Sequence, residues 1–309
     1  MRFLLCSGHS ICSERVASPL REFGFSNRFS LYERILRNIA SDSAGRGAPR
    51  LASPEMLHQG LELLEQSQRP CIVTGFVVPP LGVAETDGPP GAAVLGRALW
   101  HRGKEVSLAT DEVCFPVVSA AAQSVGFQGS LMKTDAPEAL FSGDAAPDLL
   151  VFVERLGRGG DGRYYNMRSE DIGAYTAPLD GGVLLAREMG IPCLAVGDGG
   201  NEVGMGLFYD QLREMLPGFA TCISAIDATV TLPVDVSNWG CYALAGLLSD
   251  SPASWLGLRD GEELVMLRAM EAAGAVDGAT KKQGHTVDGM TLDRLVEVAQ
   301  GIWTVICEV

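Results

Sequence analysis

Two pairs of carboxylates stand close together in the sequence, each in a glycine-rich setting. Glu85 and Asp87 precede a Gly-Pro-Pro-Gly run, and Asp198 and Glu202 lie in the segment 197–206, of which five residues are glycine. Glycine lets a backbone approach a ligand closely, and Gly-Pro-Pro-Gly fixes the chain before a helix whose N-terminus could hold an anion. Carboxylates that face one another repel unless a cation or a proton offsets the charge. We therefore expect these four side chains to bind a divalent metal ion or to have shifted pKa values.

The available ligands narrow the choice of metal. Carboxylate oxygens are hard ligands, which favours Mg²⁺ or Mn²⁺ over Zn²⁺. The four histidines, at positions 9, 58, 101 and 285, are too scattered to form a zinc site, and the eight cysteines include no CxxC pair. Cys6, His9 and Cys12 are loosely spaced like metal ligands but have no second pair to complete a site. Several cysteines lie in apolar runs, so we expect buried, reduced thiols.

The segment 154–168 supplies positive charge. Arg155, Arg158, Arg163 and Arg168 could clamp carboxylates or phosphates through paired hydrogen bonds, and we expect about two of them to reach a substrate. Their alternative role is a solvated basic loop, but the adjoining Tyr-Tyr-Asn is polar and aromatic, like the wall of a pocket. The residues predicted to bind substrate are Arg155, Arg158, Tyr164, Asn166, Gly199, Gly200, Asn201 and Asn238.

Several functions are disfavoured by the sequence. The formal charge of −14 argues against nucleic-acid and anionic-membrane partners, and no apolar stretch is long enough to span a membrane. Gly157, Gly159 and Gly162 match GxGxxG, but the polar residues that follow do not begin a dinucleotide-binding helix. No Walker A sequence and no GxSxG elbow occur. A small-molecule substrate is therefore the expected partner, and self-association is left open.

Short apolar runs alternate with helical segments, which predicts a doubly wound, Rossmann-like three-layer α/β fold with a mostly parallel sheet and helices on both faces. In such sheets the loops after the strands share one rim, where ligands bind. The plainer role of a polar residue there is to cap the next helix, which fits Asp111 and Ser237. The predicted strands are 71–76, 105–109, 149–153, 193–196 and 229–233. The predicted helices are 31–39, 54–66, 92–100, 114–124, 182–189, 204–215, 239–248, 261–273 and 292–302, with a loop at 42–50.

The domain organisation follows from length and charge. We expect a single domain at 28–309 after an N-terminal extension at 1–27. The basic start of the extension is followed by too short an apolar segment for a signal peptide, and its acids count against a mitochondrial leader. The expected location is cytoplasmic, with the mitochondrial matrix as the alternative in a eukaryote.

Four motifs, in order, resemble the C-terminal domain of the D-glutamate cyclase family, and the resemblance spans about residues 28–309. They are 74–76 with 85–91, 154–166, 197–202 with 204–206, and 236–240. The resemblance implies a carbon–oxygen lyase that converts D-glutamate, or a similar acidic metabolite, to 5-oxo-D-proline and water. Mitochondrial members also carry an N-terminal region similar to a hydro-lyase, for which we expect no room here.

Lactam closure needs a deprotonated α-amine, an electrophilic γ-carboxylate and a leaving oxygen, which a base and a divalent cation can provide. We therefore expect Asp87, Asp198 and Glu202 to be catalytic and, together with Glu85, to hold Mn²⁺ or Mg²⁺. Two alternatives remain open at this point: a Mg- or Mn-dependent phosphatase-type hydrolase, and a metal- or metabolite-binding module without turnover.

Overall fold

Six parallel strands form the central sheet, and two short hairpins lie outside it. The structure is a computed structural model that describes residues 25–143 and 146–308. In chain order the strands are β1 Pro70–Thr74, β2 Val77–Val78, β3 Val83–Ala84, β4 Ser107–Thr110, β5 Ser130–Lys133, β6 Leu149–Val153, β7 Cys193–Gly197, β8 Val230–Pro233, β9 Thr286–Val287 and β10 Met290–Thr291. The sheet order is β5-β4-β1-β6-β7-β8, with β2–β3 and β9–β10 as antiparallel hairpins.

The helices match the predicted pattern closely. They are α1 Phe25–Ile39, α2 Pro54–Gln66, α3 Pro89–His101, α4 Phe115–Ser124, α5 Gly181–Glu188, α6 Tyr209–Met215, α7 Ser237–Leu247, α8 Glu262–Ala272 and α9 Leu292–Cys307. The prediction of a helix from residue 204 is wrong at its start. Gly204 has φ 96°, which a right-handed helix excludes, and a 3-10 turn at Gly206–Phe208 precedes α6.

All five predicted strands are present, and the strand predicted at 149–153 has the same bounds as β6. Strand β5 and the β2–β3 and β9–β10 hairpins were not predicted. Strand β5 lies at the sheet edge and reads Ser-Leu-Met-Lys, with each side chain at least partly exposed, so it carries no apolar signal. The β9–β10 hairpin turns at Asp288 and Gly289, which have φ 53° and 75°, and an Asp-Gly pair is a known signal for such a turn.

The two faces of the sheet are covered unequally. Alternate strand residues point to opposite faces, so Ile72 belongs to one core and Val73 to the other. The first core packs against α1–α4 and α7–α9, whereas the second packs against α5 and irregular segments. Both cores are apolar, which is why the inner strands read as continuous apolar runs. The predicted doubly wound α/β class is confirmed.

Some predictions concern residues that the structure describes only in part. The expected extension at 1–27 lies outside the described residues except at the start of α1, as do Cys6, His9 and Cys12. Within the described residues, no helix has both the length and the apolarity needed to cross a bilayer. The described cysteines are free thiols, as predicted; Cys307 is partly exposed, and the buried ones are Cys71, Cys114, Cys193, Cys222 and Cys241.

The strand order reverses between β1 and β6, which creates a crevice at the carboxyl end of the sheet. From β1 the chain moves outward to β4 and β5, then crosses back to β6 and continues to β7 and β8. The register pairs Thr74 with Val153, so the loops that follow these strands leave the sheet at one level. Ligands of open α/β sheets bind at such a reversal.

Two helices begin at this crevice and cap each other. The Asp87 carboxylate accepts hydrogen bonds from the backbone N–H groups of Ser237 (2.9 Å) and Asn238 (3.0 Å) in the first turn of α7. In return, the Asn238 side-chain oxygen accepts from the N–H groups of Gly88 (3.0 Å) and Gly91 (2.7 Å) at the start of α3. Reciprocal capping satisfies backbone donors that would otherwise be buried without partners, and it locks the two helices together.

The close approach of α3 and α7 requires glycine at position 91. A Cβ atom there would lie 2.8 Å from the Asn238 Cα and 3.0 Å from the Cys241 Cβ. Gly91→Ala should therefore lower the free energy of unfolding by about 1–3 kcal/mol, the usual cost of overpacking, as measured by urea denaturation. Gly218→Ala is the control, because its Cβ would meet nothing within 4 Å, and it should change stability by less than about 0.5 kcal/mol. Equal stability of the two variants would refute this account.

Candidate functional site

A cavity of about 350 Å³ opens at the crevice. Its walls come from the loops after β1, β6 and β7, from the α1–α2 loop, and from residues around the β9–β10 hairpin. The cavity therefore lies where the sheet topology predicts a ligand. Its acidic lining residues are Glu85, Glu154, Asp198, Glu202 and Asp288.

Three buried carboxylates lie close together. One oxygen from each of Asp87, Glu154 and Asp198 lies within 4.8 Å of the others. These residues follow three different strands, and the parallel sheet brings them to one end. Asp87 and Asp198 come from the two pairs predicted from the sequence, whereas Glu154 was not among the predicted site residues. We call Asp87, Glu154 and Asp198 the acidic triad.

Asp87 is the most firmly held member of the acidic triad. Besides Ser237 and Asn238, its carboxylate accepts a hydrogen bond from the N–H of Gly88 (2.9 Å). Burial and the charge of Asp288 raise its pKa to about 7, although these three backbone bonds act in the opposite direction. Asp87 can thus exchange a proton near neutral pH.

Glu154 adopts an uncommon backbone conformation directly after β6. Its φ of 44° is rare for a residue with a side chain and costs conformational energy. The side chain is buried, and one carboxylate oxygen accepts a hydrogen bond from the Ser237 hydroxyl (2.6 Å). Ser237 is therefore a partner of Glu154 as well as a first-turn residue of α7. Burial, followed by the charge of Glu202, raises the pKa of Glu154 well above its ordinary value.

Arg46 provides positive charge within the acidic surroundings. Its guanidinium group forms an ion pair with Asp198 and a hydrogen bond of 3.1 Å with Asp288. Asp198 is buried and its pKa is still raised well above the ordinary value, because burial and the neighbouring carboxylates outweigh the effect of Arg46. One arginine thus only partly neutralises the cluster.

The loop that carries Arg46 is fixed by two aspartates. The Asp235 carboxylate, after β8, accepts hydrogen bonds from the backbone N–H of Ser41 (3.1 Å) and of Ser43 (3.1 Å). Asp42 accepts from the N–H of Gly47 (2.8 Å). Arg46 therefore reaches the cavity from a constrained loop.

Glu85 lines the cavity, and its carboxylate lies against Gly278. A Cβ atom at Gly278 would lie only 1.8 Å from Oε2 of Glu85, so the position of this carboxylate depends on glycine there. Glu85 is buried, and burial followed by the charges of Asp288 and Asp87 raises its pKa well above the ordinary value. Burial and neighbouring negative charge thus raise the pKa values of Glu85, Asp87 and Asp198, three of the four carboxylates that the sequence singled out.

Glu202 is occupied within its own loop. Its two carboxylate oxygens accept hydrogen bonds from the backbone N–H groups of Gly199 and Gly200, both at 2.8 Å. Asn201 in the same loop donates to the backbone oxygen of Tyr165 (2.8 Å). The glycine-rich segment is therefore shaped by Glu202, which lines the cavity but is not part of the acidic triad. Its predicted metal-binding and catalytic roles stay predictions.

Two arginines predicted to bind substrate are engaged elsewhere. Arg155 is buried and donates hydrogen bonds to the backbone oxygens of Gly75 (2.7 Å) and Ala177 (2.8 Å), and it also pairs with Asp111. Asp111 in turn accepts from the N–H of Cys114 (2.8 Å), just before α4, in keeping with its expected capping role. Arg155 thus connects the loops after three strands and is not a cavity-lining residue.

Arg158 is bound by a buried aspartate. Its side chain donates two hydrogen bonds to the Asp180 carboxylate, at 2.7 and 3.0 Å, and the Tyr164 hydroxyl donates a third at 2.5 Å. Arg163 is exposed beside Asp161 and Asp171. Of the residues predicted to bind substrate, the cavity lining includes Asn166, Gly199 and Asn201; it does not include Arg155, Arg158, Tyr164, Gly200 or Asn238.

Four charged residues of the site were not among those predicted: Arg46, Glu154, Lys281 and Asp288. Glu154 could have been found, because it directly follows the strand beside β1, at the order reversal. The Asp288-Gly289 pair predicts a hairpin turn, but the sequence does not indicate where this hairpin packs. Arg46 and Lys281 lie in loops whose local sequence does not specify their distant contacts.

The acidic triad meets the chemical requirements of a divalent cation site. All three donors are carboxylates, the ligands that Mg²⁺ and Mn²⁺ prefer. The raised pKa values show that buried negative charge is not fully offset within the protein, and a bound cation would offset it. The triad could therefore hold such an ion.

Comparison of the sequence with known proteins identifies the family to which the chain belongs. The sequence model of the family described as "D-glutamate cyclase-like, C-terminal" matches residues 35–302. The chain belongs to this family. The mitochondrial D-glutamate cyclase of Homo sapiens is 32% identical over an alignment of 230 residues, and the match covers 67% of this chain and 37% of that protein. The predicted family is confirmed, and the chain matches little more than a third of the length of this curated relative.

The raised pKa of Glu85 leads to a prediction about stability. A carboxyl with a raised pKa in the folded state binds more protons there than in the unfolded chain, so it destabilises the fold increasingly as the pH rises above its ordinary pKa. In Glu85→Gln this penalty is absent. The free energy of unfolding of Glu85→Gln, relative to the wild type, should therefore increase from about pH 5 to about pH 8 in urea titrations with a chelator present.

The control is Glu105→Gln, an exposed residue just before β4, at the opposite end of the sheet. Its stability relative to the wild type should show no such rise with pH. Parallel pH profiles for the wild type and Glu85→Gln would contradict the expected effect of burial.

Proposed function

We propose that this protein is a D-glutamate cyclase-type lyase that closes an acidic amino acid into a lactam with loss of water. The observation that carries the proposal is the buried acidic triad, two members of which, Glu154 and Asp198, line the cavity, in a member of the D-glutamate cyclase-like family. The human relative is named as a D-glutamate cyclase, and this chain matches only part of that protein. The activity of this chain is therefore our proposal.

The reaction is balanced by proton transfer alone. The α-ammonium group loses two protons as nitrogen forms a bond to the γ-carboxyl carbon, and one carboxyl oxygen gains two protons and leaves as water. A protein carboxyl that both accepts and returns protons near neutral pH suits this exchange. Glu154, with a pKa raised well above its ordinary value, is the candidate.

The proposed cation is Mg²⁺ or Mn²⁺, held by Asp87 and Asp198, with Glu154 and Glu85 beside it. When bound, such an ion withdraws electron density from the γ-carboxyl group and so promotes attack by the amine. Glu202 holds the loop that presents Asp198, and Ser237 orients Glu154.

Activity can be tested directly. Purified protein should form 5-oxoproline from D-glutamate in the presence of Mn²⁺, as measured by chromatography or NMR, with L-glutamate and a general phosphate ester as comparison substrates. Glu154→Gln should lower kcat about 100-fold or more, because it removes a group that exchanges protons while retaining an acceptor for Ser237. An unchanged melting temperature would show that this variant still folds.

The other outcomes separate the alternative functions. Phosphate ester hydrolysis without 5-oxoproline formation would indicate a metal-dependent hydrolase. Uptake of Mn²⁺ without turnover of any of these substrates would indicate a binding module. Either result would refute the cyclase proposal.

Arg46 should compete with the cation for Asp198. Replacing it by methionine removes a positive charge from the acidic surroundings, so Arg46→Met should bind Mn²⁺ about tenfold more tightly in isothermal titration calorimetry. Arg50→Met is the matched control, because Arg50 lies on the same segment, is 68% exposed and pairs with Asp42. Unchanged or weaker Mn²⁺ binding by Arg46→Met would show that the arginine and the ion do not compete for Asp198.

A further inference from the structure

The cavity is lined by side chains of both charges. Glu85, Glu154 and Asp198 are acidic, whereas Arg168 and Lys281 contribute cationic side chains. Arg168 comes from the long loop after β6, and Lys281 comes from the segment between α8 and β9. A ligand that fills such a cavity would need an anionic group at one end.

Neither of these two cations is neutralised within the protein. Arg168 donates a long hydrogen bond of 3.4 Å to the backbone oxygen of Ala279, and Lys281 donates one of 2.9 Å to the backbone oxygen of Pro79. In the part of the chain that the structure describes, neither is in an ion pair with a carboxylate. Backbone oxygens carry no net charge, so both side chains keep their full positive charge for an incoming anion.

The backbone around both residues is held in place before any ligand arrives. The Asn166 side-chain oxygen accepts a hydrogen bond from the N–H of Arg168 (2.9 Å). The Asp277 carboxylate accepts from the N–H groups of Ala279 (2.9 Å) and Gly289 (2.8 Å), and its backbone oxygen accepts from the N–H of Lys281 (2.7 Å). Such preorganisation lowers the entropy cost of binding.

We propose that Arg168 and Lys281 form an anion subsite that binds the substrate carboxylate remote from the reacting one. This inference rests on the proposed function, since it identifies which residues select a dicarboxylic amino acid for that reaction. It also replaces Arg155 and Arg158, which the sequence favoured for this task but whose guanidinium groups are bound to Asp111 and Asp180. Arg46, which lies against Asp198, is not part of the subsite.

The test uses the full chain and glutarate, a dicarboxylate that has no amine and cannot form a lactam. With Mn²⁺ present, Arg168→Met and Lys281→Met should each raise the Kd for glutarate about tenfold in calorimetry, as expected for the loss of one charge-assisted hydrogen bond. For D-glutamate, KM should rise by a similar factor while kcat changes less than about twofold, because the remote carboxylate does not react.

Matched variants distinguish a specific contact from a general loss of charge. Lys282→Met removes the same charge one residue along the chain, from an exposed side chain that does not line the cavity, and should bind glutarate like the wild type. Lys281→Arg should recover most of the lost affinity. Melting temperatures of all variants would show that each is folded.

The outcomes separate this inference from the proposed function. If the wild type forms no 5-oxoproline but its glutarate binding depends on Arg168 and Lys281, the cyclase proposal fails and the anion subsite stands. If turnover is observed and both methionine variants bind glutarate like the wild type, the subsite is wrong and the cyclase proposal stands. If the wild type does not bind glutarate at all, the subsite is refuted.

Discussion

The structure is organised around negative charge buried at one end of a parallel sheet. Burying several carboxylates together is unfavourable because each loses its hydration and repels the others. The protein offsets part of this cost with the N-terminus of α7 at Asp87, with Ser237 at Glu154 and with Arg46 at Asp198. The remaining imbalance appears as raised pKa values at Glu85, Asp87, Glu154 and Asp198. Groups with such properties are more common at functional sites than elsewhere in a fold.

The same constraint accounts for the different uses of arginine around the site. Arg155 and Arg158 neutralise buried aspartates and connect loops, so they form part of the framework. Arg46 combines the two uses, because it pairs with Asp198 and Asp288 and also lines the cavity. Arg168 lines the cavity without a carboxylate partner among the described residues. Burial and pairing, rather than residue type, decide which positive charge is available to a ligand.

Local sequence signals were sufficient for most of the fold. Apolar runs identified the inner strands because strands covered on both faces exclude polar residues, and 54–66 was predicted with its observed bounds because proline marks its first turn. Strand β5 could not be recognised, since an edge strand needs no apolar run. The alternation of apolar runs and helical segments predicted the fold class. The general rule that parallel strands end at one rim then predicted that the carboxylate pairs after the strands would lie near one another.

The sequence by itself determined the kinds of chemistry available: oxygen ligands, glycine-rich loops and an excess of acids, in the order typical of this family. Only the tertiary structure decided which acids meet. It brings Asp87, Glu154 and Asp198 together, whereas the Glu202 carboxylate is hydrogen-bonded within its own loop. It also adds Arg46, Lys281 and Asp288 to the site from distant segments. The physical reason is that residue types and strand order are properties of the local chain. Side-chain partners, in contrast, depend on long-range packing that a single sequence does not specify.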